Sequence, residues 1–154
     1  MLGAIIGDIV GSRFEFNNTS DFYFELFTSA CDYTDDTICT VAVADAALNG
    51  KPYRETMLEW CRKYPHPMGC YGGSFARWIH TLNPEPYNSF GNGSAMRVGA
   101  VGWLFDAEEE VLEQAKLSAV SLYFGEVKIG NAGKIAKLED FVVCREILIT
   151  FAIG

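Results

Sequence analysis

The segment Asp32-Tyr33-Thr34-Asp35-Asp36-Thr37 stands directly before an apolar run, Ile38 to Leu48, that predicts a helix. Asp and Thr are common at helix starts, because their side-chain oxygens accept hydrogen bonds from unpaired backbone N–H groups and a carboxylate there suits the helix dipole. Capping of this kind accounts for one Asp and one Thr. It does not require two adjacent carboxylates, which repel each other.

Metal binding is the alternative explanation of the same residues. Thr34 to Thr37 bring two carboxylates and two hydroxyls together, and Mg²⁺, Mn²⁺ and Ca²⁺ all prefer oxygen ligands. A calcium loop of the EF-hand type is excluded: counting from Asp32, Thr37 stands where Gly is needed and Val43 where Glu is needed. Spacing alone leaves capping and metal ligation both open.

The composition predicts one globular domain and excludes some classes of partner. The chain has 154 residues, of which 49% are hydrophobic, enough for one domain with a core. Its net charge of −8 argues against non-specific binding to nucleic acid or to an anionic membrane surface. The stretch from Met1 to Asp8 has no basic region and resembles neither a signal peptide nor a membrane span, so we expect a cytoplasmic protein.

The cysteines indicate a reduced protein. None of them forms a Cys-x-x-Cys pair, and their number is odd, which fits neither a disulfide framework nor a structural zinc site. We therefore expect free and mostly buried thiols. The five residues are Cys31, Cys39, Cys61, Cys70 and Cys144.

Three glycines recur at a spacing of four residues near the start of the chain. On the helix predicted for Met1 to Ser12, Gly3, Gly7 and Gly11 would lie along one face and allow another backbone to approach closely. Asp8 is the one carboxylate among these apolar residues. It is either a hydrogen-bond anchor or part of a ligand sphere, and the anchor is favoured because buried polar groups are normally paired locally.

Glu15 is a second isolated acid. It lies between Phe14 and Phe16, an apolar setting that makes it a candidate for proton transfer. The alternative is a surface glutamate paired with Arg13. The segment from Asn17 to Phe27 has no helical periodicity and predicts a loop.

The rest of the chain predicts further helices separated by loops. Asn49-Gly50 provides a helix stop and Pro52 a helix start, and Pro65 to Gly73 is rich in residues that break regular structure. For Lys134 to Phe151, periodicity leaves a buried helix and a pair of strands equally open. The predicted helices are Tyr53–Tyr64, Ser74–Thr81, Ala95–Phe105 and Asp106–Ala119.

A glycine-rich loop precedes one of these helices. Backbone N–H groups at a junction such as Gly91-Asn92-Gly93-Ser94 are suited to phosphate or sugar hydroxyls, although the same residues also form plain turns.

Three motifs in this order resemble the ADP-ribosylglycohydrolase family. They are Gly7-Asp8-x-x-Gly11-x-x-x-Glu15, Tyr33-Thr34-Asp35-Asp36-Thr37 and Gly91-Asn92-Gly93-Ser94-Ala95-Met96-Arg97-Val98. The resemblance implies a compact, all-α, multi-helix fold around two divalent ions, Mg²⁺ or Mn²⁺. It also implies hydrolysis of the bond between a ribosyl carbon of ADP-ribose and an acceptor nitrogen or oxygen, in an ADP-ribosylated protein or a small molecule that contains ADP-ribose.

The resemblance also implies roles for individual residues. Thr34, Asp35 and Asp36 match the first group of metal ligands. Glu15 matches the acidic residue beside the metals, and we take Glu15 and Asp36 as the catalytic residues. Metal ions can hold ribose hydroxyls and polarise a water whose proton a carboxylate accepts, with an oxocarbenium-like transition state. The loop that lies against the substrate would be Gly91, Asn92, Gly93 and Ser94.

The family pattern stops before the end of the chain. Family members continue with a His-Pro helix start and an Asp-x-Asp-Thr group that completes the two-metal site. Here the only aspartate after Asp106 is Asp140, and no histidine follows His80. We therefore divide the chain into a family-like part, 1–118, and an atypical tail, 119–154, and hypothesise a truncated or frame-shifted member whose fold is incomplete in its C-terminal half.

Three functions follow from this division. The first is a hydrolase with one metal ion or none, and with low activity. The second is an inactive remnant that binds ADP-ribose or a metal, and that forms homo-oligomers through the apolar block Phe141 to Gly154. The third is a helical domain in which the Asp pair is only a cap.

Overall fold

The computed structural model describes residues 1–87, 89 and 91–120, and these residues form helices joined by loops. The all-α prediction is confirmed for this part of the chain. A 3-10 turn, Ser12–Phe14, follows the first helix directly. The helices are α1 (Leu2–Gly11), α2 (Asp35–Asn49), α3 (Tyr53–Lys63), α4 (Gly73–His80), α5 (Gly93–Arg97), α6 (Gly99–Leu104) and α7 (Glu108–Val120).

Helix α2 is the centre of the fold. Helices α1, α3, α5 and α6 all pack against it. A helix that is buried on several sides needs small or apolar residues around most of its circumference, and alanines allow neighbouring helices to approach closely. Its buried residues are Ile38, Cys39, Thr40, Ala42, Val43, Ala44 and Ala46.

Single residues mark the end of α2 and the start of α3, as the sequence predicts. Helix α2 ends at Gly50, whose φ of 59° is left-handed and whose N–H donates to the carbonyl of Ala46. Glycine adopts this conformation without the steric cost of a Cβ atom. Helix α3 then begins after Pro52, whose fixed φ suits a helix start.

The prediction of one continuous helix over 95–105 is wrong. The structure divides this stretch into α5 and α6 at Val98, where hydrogen bonds span three residues instead of four: Val98 N–H to Ala95 O is 3.4 Å and Val101 N–H to Val98 O is 2.9 Å. Val98 and Gly99 are weak helix formers, so the chain tightens there at little cost.

The sequence predicts that the glycine stripe of α1 packs against another backbone, and within the described residues this prediction is wrong. Outside the backbone of α1 itself, a Cβ atom added at Gly3, Gly7 or Gly11 would meet no atom of the described residues within 4 Å. The buried residue of α1 is Val10 instead. Within the described part of the chain the stripe is therefore uncovered, and part of it borders the cavity described below.

Some predictions concern residues that the structure does not describe. These are the fold of the tail from 121 onward, the apolar block and its self-association, and Asp140. The described cysteines, Cys31, Cys39, Cys61 and Cys70, are all free, as expected, but only Cys39 and Cys61 are buried. Among the described helices, none has the length and hydropathy that crossing a membrane requires.

Truncation of Met57 tests the packing of α3 on α2. Met57 is 1% exposed, so Met57→Ala should lower the free energy of unfolding by about 2–4 kcal/mol, through lost burial and the cavity left behind. Leu48→Ala is the control: Leu48 is 63% exposed, and its loss should change stability by less than about 0.5 kcal/mol. Urea unfolding followed by circular dichroism gives both values, and equal midpoints for the two variants would contradict this packing.

Asp45 joins α2 to α3 at the protein surface. Its carboxylate accepts hydrogen bonds from Trp60 Nε1 at 2.9 Å, from Lys51 Nζ at 3.0 Å and from Asn49 Nδ2 at 2.7 Å. These bonds, the one from Trp60 first, lower the pKa of Asp45. A carboxyl group with a lowered pKa in the folded state stabilises the fold when it is ionised, and this contribution disappears as the pH falls through that pKa.

Asp45→Asn should therefore lower stability in a pH-dependent way. Near pH 7 we expect a loss of about 1 kcal/mol, since charge-assisted hydrogen bonds are replaced by neutral ones at a partly exposed site. The difference from wild type should shrink as the pH is lowered from about 5 towards 3. Urea unfolding at several pH values measures it. Lys51→Gln, which removes one of three partners, should cost less, and a difference that is constant with pH would show that the charge of Asp45 is not responsible.

Candidate functional site

Asp8 joins α1 to the first turn of α2. Its Oδ1 accepts a hydrogen bond from Thr34 Oγ1 at 2.5 Å. Its Oδ2 accepts from the backbone N–H of Thr34 at 3.0 Å and from Thr37 Oγ1 at 2.5 Å. The anchor interpretation of Asp8 is confirmed, because one carboxylate holds the start of α2 against α1 through three hydrogen bonds.

Thr34 is the N-cap of α2, so the capping interpretation is also confirmed. Its backbone is extended and its Oγ1 accepts a hydrogen bond from the N–H of Asp36 at 3.2 Å. The same hydroxyl donates to Asp8, so its hydrogen atom and one of its two lone pairs are used. Asp35 and Asp36 occupy the first turn of α2, where the helix dipole favours negative charge.

Negative charge accumulates at this helix start. Desolvation, followed by the charge of Asp36, raises the pKa of Asp35 to about 6. Desolvation also raises the pKa of Asp36, and the charges of Asp8 and Glu15 add to that effect. In the described part of the chain, none of these four carboxylates forms an ion pair with Lys or Arg. The cluster thus lacks a positive partner among the described residues.

A cavity of about 450 Å³ lies beside the helix start. Asp8, Glu15 and Asp36 border it together with Thr34 and Thr37, so the structure brings five of the acidic and hydroxyl residues singled out from the sequence to one space. Asp35 is not among the residues that line the cavity.

Glu15 lies over the backbone of Gly69. A Cβ atom at Gly69 would stand 2.6 Å from Glu15 Oε2 and would displace the end of that side chain, and the φ of Gly69, +78°, favours glycine. The loop that carries Gly69 is tied to the helix start by a hydrogen bond of 3.1 Å from Met68 N–H to Tyr33 O. The apolar setting expected for Glu15 is wrong, because Glu15 is exposed and Phe16 is 82% exposed.

Arg13 does not pair with Glu15, so the pairing in that alternative is wrong, whereas Glu15 does lie at the surface as the alternative expected. Its Nη1 donates to Thr28 Oγ1 at 2.8 Å and its Nη2 to the carbonyl oxygen of Glu25. Its guanidinium also lies 4.6 Å from the centre of the Phe14 ring. Arg13 thus holds the base of the loop that follows Glu15. It does not bind the Glu15 carboxylate, which borders the cavity.

The predicted substrate loop forms the start of α5. The carbonyl of Asn92 accepts from Ala95 N–H at 2.8 Å and from Met96 N–H at 3.1 Å. Met96 borders the cavity, whereas Gly91, Asn92, Gly93 and Ser94 do not. The loop therefore positions a cavity residue, and its own contact with a substrate stays a prediction.

Comparison with known proteins supports the resemblance on which the sequence prediction rests. The family model for ADP-ribosylglycohydrolases matches residues 1–121. The chain belongs to the ADP-ribosylglycohydrolase family. It is also 30% identical over 152 aligned residues to the human protein ADP-ribosylhydrolase ARH3, an alignment that covers 77% of this chain and 42% of the human protein. The chain thus spans less than half of this relative's length. No solved structure matches the chain.

The described residues meet part of the requirement for the metal that this family uses. The donors are carboxylate and hydroxyl oxygens with uncompensated negative charge, which is what Mg²⁺ and Mn²⁺ prefer. Within residues 1–87, 89 and 91–120, however, no three carboxylate, thiolate or imidazole groups lie close enough together to hold a metal ion. The donor atoms are of the kind that a divalent cation binds. The number of charged groups close to one point is smaller than such a cation usually has.

The sequence prediction gave no site role to several residues of the cavity, among them Thr40 and Met96. Thr40 follows Asp36 by four residues on α2, a spacing that places both side chains on the same face of the helix. That spacing was a usable signal for Thr40. Met96 had no comparable signal, because its place depends on how α5 packs against α2.

Removal of the Asp8 carboxylate tests its role as an anchor. Asp8→Ala loses three hydrogen bonds, and we expect the free energy of unfolding to fall by about 2 kcal/mol after the relief of repulsion with Asp36 is allowed for. Asp21→Ala, in an exposed loop where the carboxylate accepts from Tyr23 N–H, is the matched control and should cost less than about 1 kcal/mol. Chemical unfolding of both variants decides the question. Equal losses would mean that the contact between α1 and α2 does not depend on Asp8.

Proposed function

We propose that this protein hydrolyses the bond between a ribosyl carbon of ADP-ribose and the nitrogen or oxygen of an acceptor, with a divalent cation bound beside α2. One observation carries the proposal: in a chain of the ADP-ribosylglycohydrolase family, three carboxylates converge on one cavity. They are Asp8, Glu15 and Asp36.

Thr34, Asp35 and Asp36 are the residues proposed to hold the cation. Two carboxylates and a hydroxyl with one free lone pair are suitable ligands for Mg²⁺ or Mn²⁺. When bound, such an ion would supply positive charge that offsets the crowded carboxylates and polarises oxygen atoms of the sugar or of water. Because few charged groups converge here, we expect weak binding of one ion and low turnover.

Glu15 is proposed to act as the general base. Glu15 is exposed and borders the cavity, so its carboxylate can accept a proton from the water that attacks the ribosyl carbon. The water oxygen forms a new bond to this carbon, and the acceptor leaves with the electron pair of the old bond and takes up a proton. Negative charge on Asp36 and Asp8 would stabilise the positive charge that develops on the sugar ring.

The substrate is proposed to be an ADP-ribosylated protein or a small molecule that contains ADP-ribose. The name of the human relative, ADP-ribosylhydrolase, supports this class of substrate. The segment from Gly91 to Ser94 leads into Met96 on the cavity wall, and we propose that it contacts the part of the substrate that extends out of the cavity.

Two measurements test metal binding and activity separately. Millimolar Mg²⁺ or Mn²⁺ should raise the melting temperature by about 2–4 °C, because a ligand that binds only the native state stabilises it. Asp36→Ala should abolish this rise, and Glu59→Ala, which removes an exposed acid from α3, should retain it. Release of ADP-ribose from arginine-linked and serine-linked substrates is then followed by chromatography.

The two outcomes are distinct. Glu15→Gln should lower kcat by about 100-fold or more and leave the metal-dependent rise in melting temperature unchanged. If neither ion raises the melting temperature of the wild type and no ADP-ribose is released from either substrate, the proposed function is wrong and the Asp pair serves only as a cap.

A further inference from the structure

The cavity has a charged end and a neutral end. Asp36 and Thr40 both border it, and they are separated by four residues on α2, which corresponds to about 6 Å along the helix axis. On α1, Ala4 precedes Asp8 by the same spacing. We call the part of the cavity bordered by Ala4, Ile5, Thr40 and Met96 the neutral end, since these side chains carry no charge.

Thr40 is unusual among the threonines of this region. It is 4% exposed and borders the cavity, yet its hydroxyl has no hydrogen-bond partner among the described residues. Thr34 and Thr37, by contrast, donate to Asp8. A hydroxyl that borders a cavity and has no partner within the described residues keeps its donor and acceptor capacity for water or for a ligand. This one is placed where a ligand in the cavity could supply the missing bond.

The cavity wall also restricts what this ligand can be. Among the described residues, no Lys, Arg or His borders the cavity, and three acidic residues border its charged end. A diphosphate group would therefore be repelled without a compensating cation. A neutral ring that carries hydroxyl groups fits both ends better, because it can approach the carboxylates and still bond to a threonine hydroxyl.

We propose that Thr40 is a sugar-binding residue: its hydroxyl forms a hydrogen bond with a hydroxyl of the ribose that carries the scissile bond, and so selects a sugar ring for the neutral end. This inference rests on the proposed function. The diphosphate and the adenosine of the ligand would then lie outside the neutral end.

Thr40→Val is the decisive variant, because it keeps the shape of the side chain and removes only the hydroxyl. In calorimetric titrations with millimolar Mg²⁺, we expect its affinity for ADP-ribose to be about tenfold weaker than that of the wild type, the value of one net hydrogen bond. Thr40→Ser should retain most of the affinity. ADP, which lacks the second ribose, should bind the wild type more weakly than ADP-ribose does and should not distinguish the wild type from Thr40→Val.

Thr56→Val is the matched control. Thr56 is also buried, at 2% exposed, but it lies on α3 and its hydroxyl donates to Pro52 O at 2.9 Å. Its replacement should lower the melting temperature and leave the affinity for ADP-ribose unchanged. Thr40→Val should show the opposite pattern, with an unchanged or higher melting temperature, because no internal hydrogen bond is lost.

Each contrary result has a separate meaning. If the wild type and Thr40→Val bind ADP-ribose equally, the role of Thr40 is wrong and the proposed function stands. An equal loss of affinity for ADP and ADP-ribose would overturn the assignment to the ribose. Destabilisation of Thr40→Val as large as that of Thr56→Val would show that the hydroxyl has an internal role. A wild type that does not bind ADP-ribose would overturn the proposed function and this inference together.

Discussion

The hydrogen bonds between the Asp8 carboxylate and the start of α2 are the constraint on which the rest of the site depends. They connect two helices whose other contacts are limited, since within the described residues the glycine face of α1 is uncovered and Val10 is its buried residue. Because Asp8 holds Thr34 and Thr37, the first turn of α2 faces the cavity at a fixed angle.

The cap of α2 consists of the same residues that are proposed to hold a cation, and the cap leaves them able to do so. Thr34 stabilises the helix start with one lone pair and retains another, and Asp35 and Asp36 gain from the helix dipole while they repel each other. The cap thus offsets part of the cost of concentrating negative charge. A carboxylate pair that would be unstable on a loop is tolerable on the first turn of a buried helix.

Local chemistry in the sequence was enough for most of the fold and for part of the site. Gly50 and Pro52 marked the ends of α2 and α3, and Asp8 was recognised as an anchor because a carboxylate among apolar residues needs partners. Long-range packing decided the features that were missed. The glycines of α1 have the right spacing for a helix contact, but spacing cannot show whether a neighbour is present. The break at Val98 and the position of Met96 likewise depend on how α5 and α6 meet α2.

The position of the Glu15 carboxylate next to Gly69 also limits which substitutions the protein tolerates at residue 69. Gly69 has no functional group, yet a side chain there would both strain the backbone and displace Glu15. The next residue, Cys70, already adopts a left-handed φ of 64°, which costs a residue with a Cβ about 1 kcal/mol or more. Two consecutive left-handed residues leave the loop little freedom to adjust. In a saturation library, most substitutions at position 69 would therefore be disfavoured, although this residue contributes only the absence of a side chain.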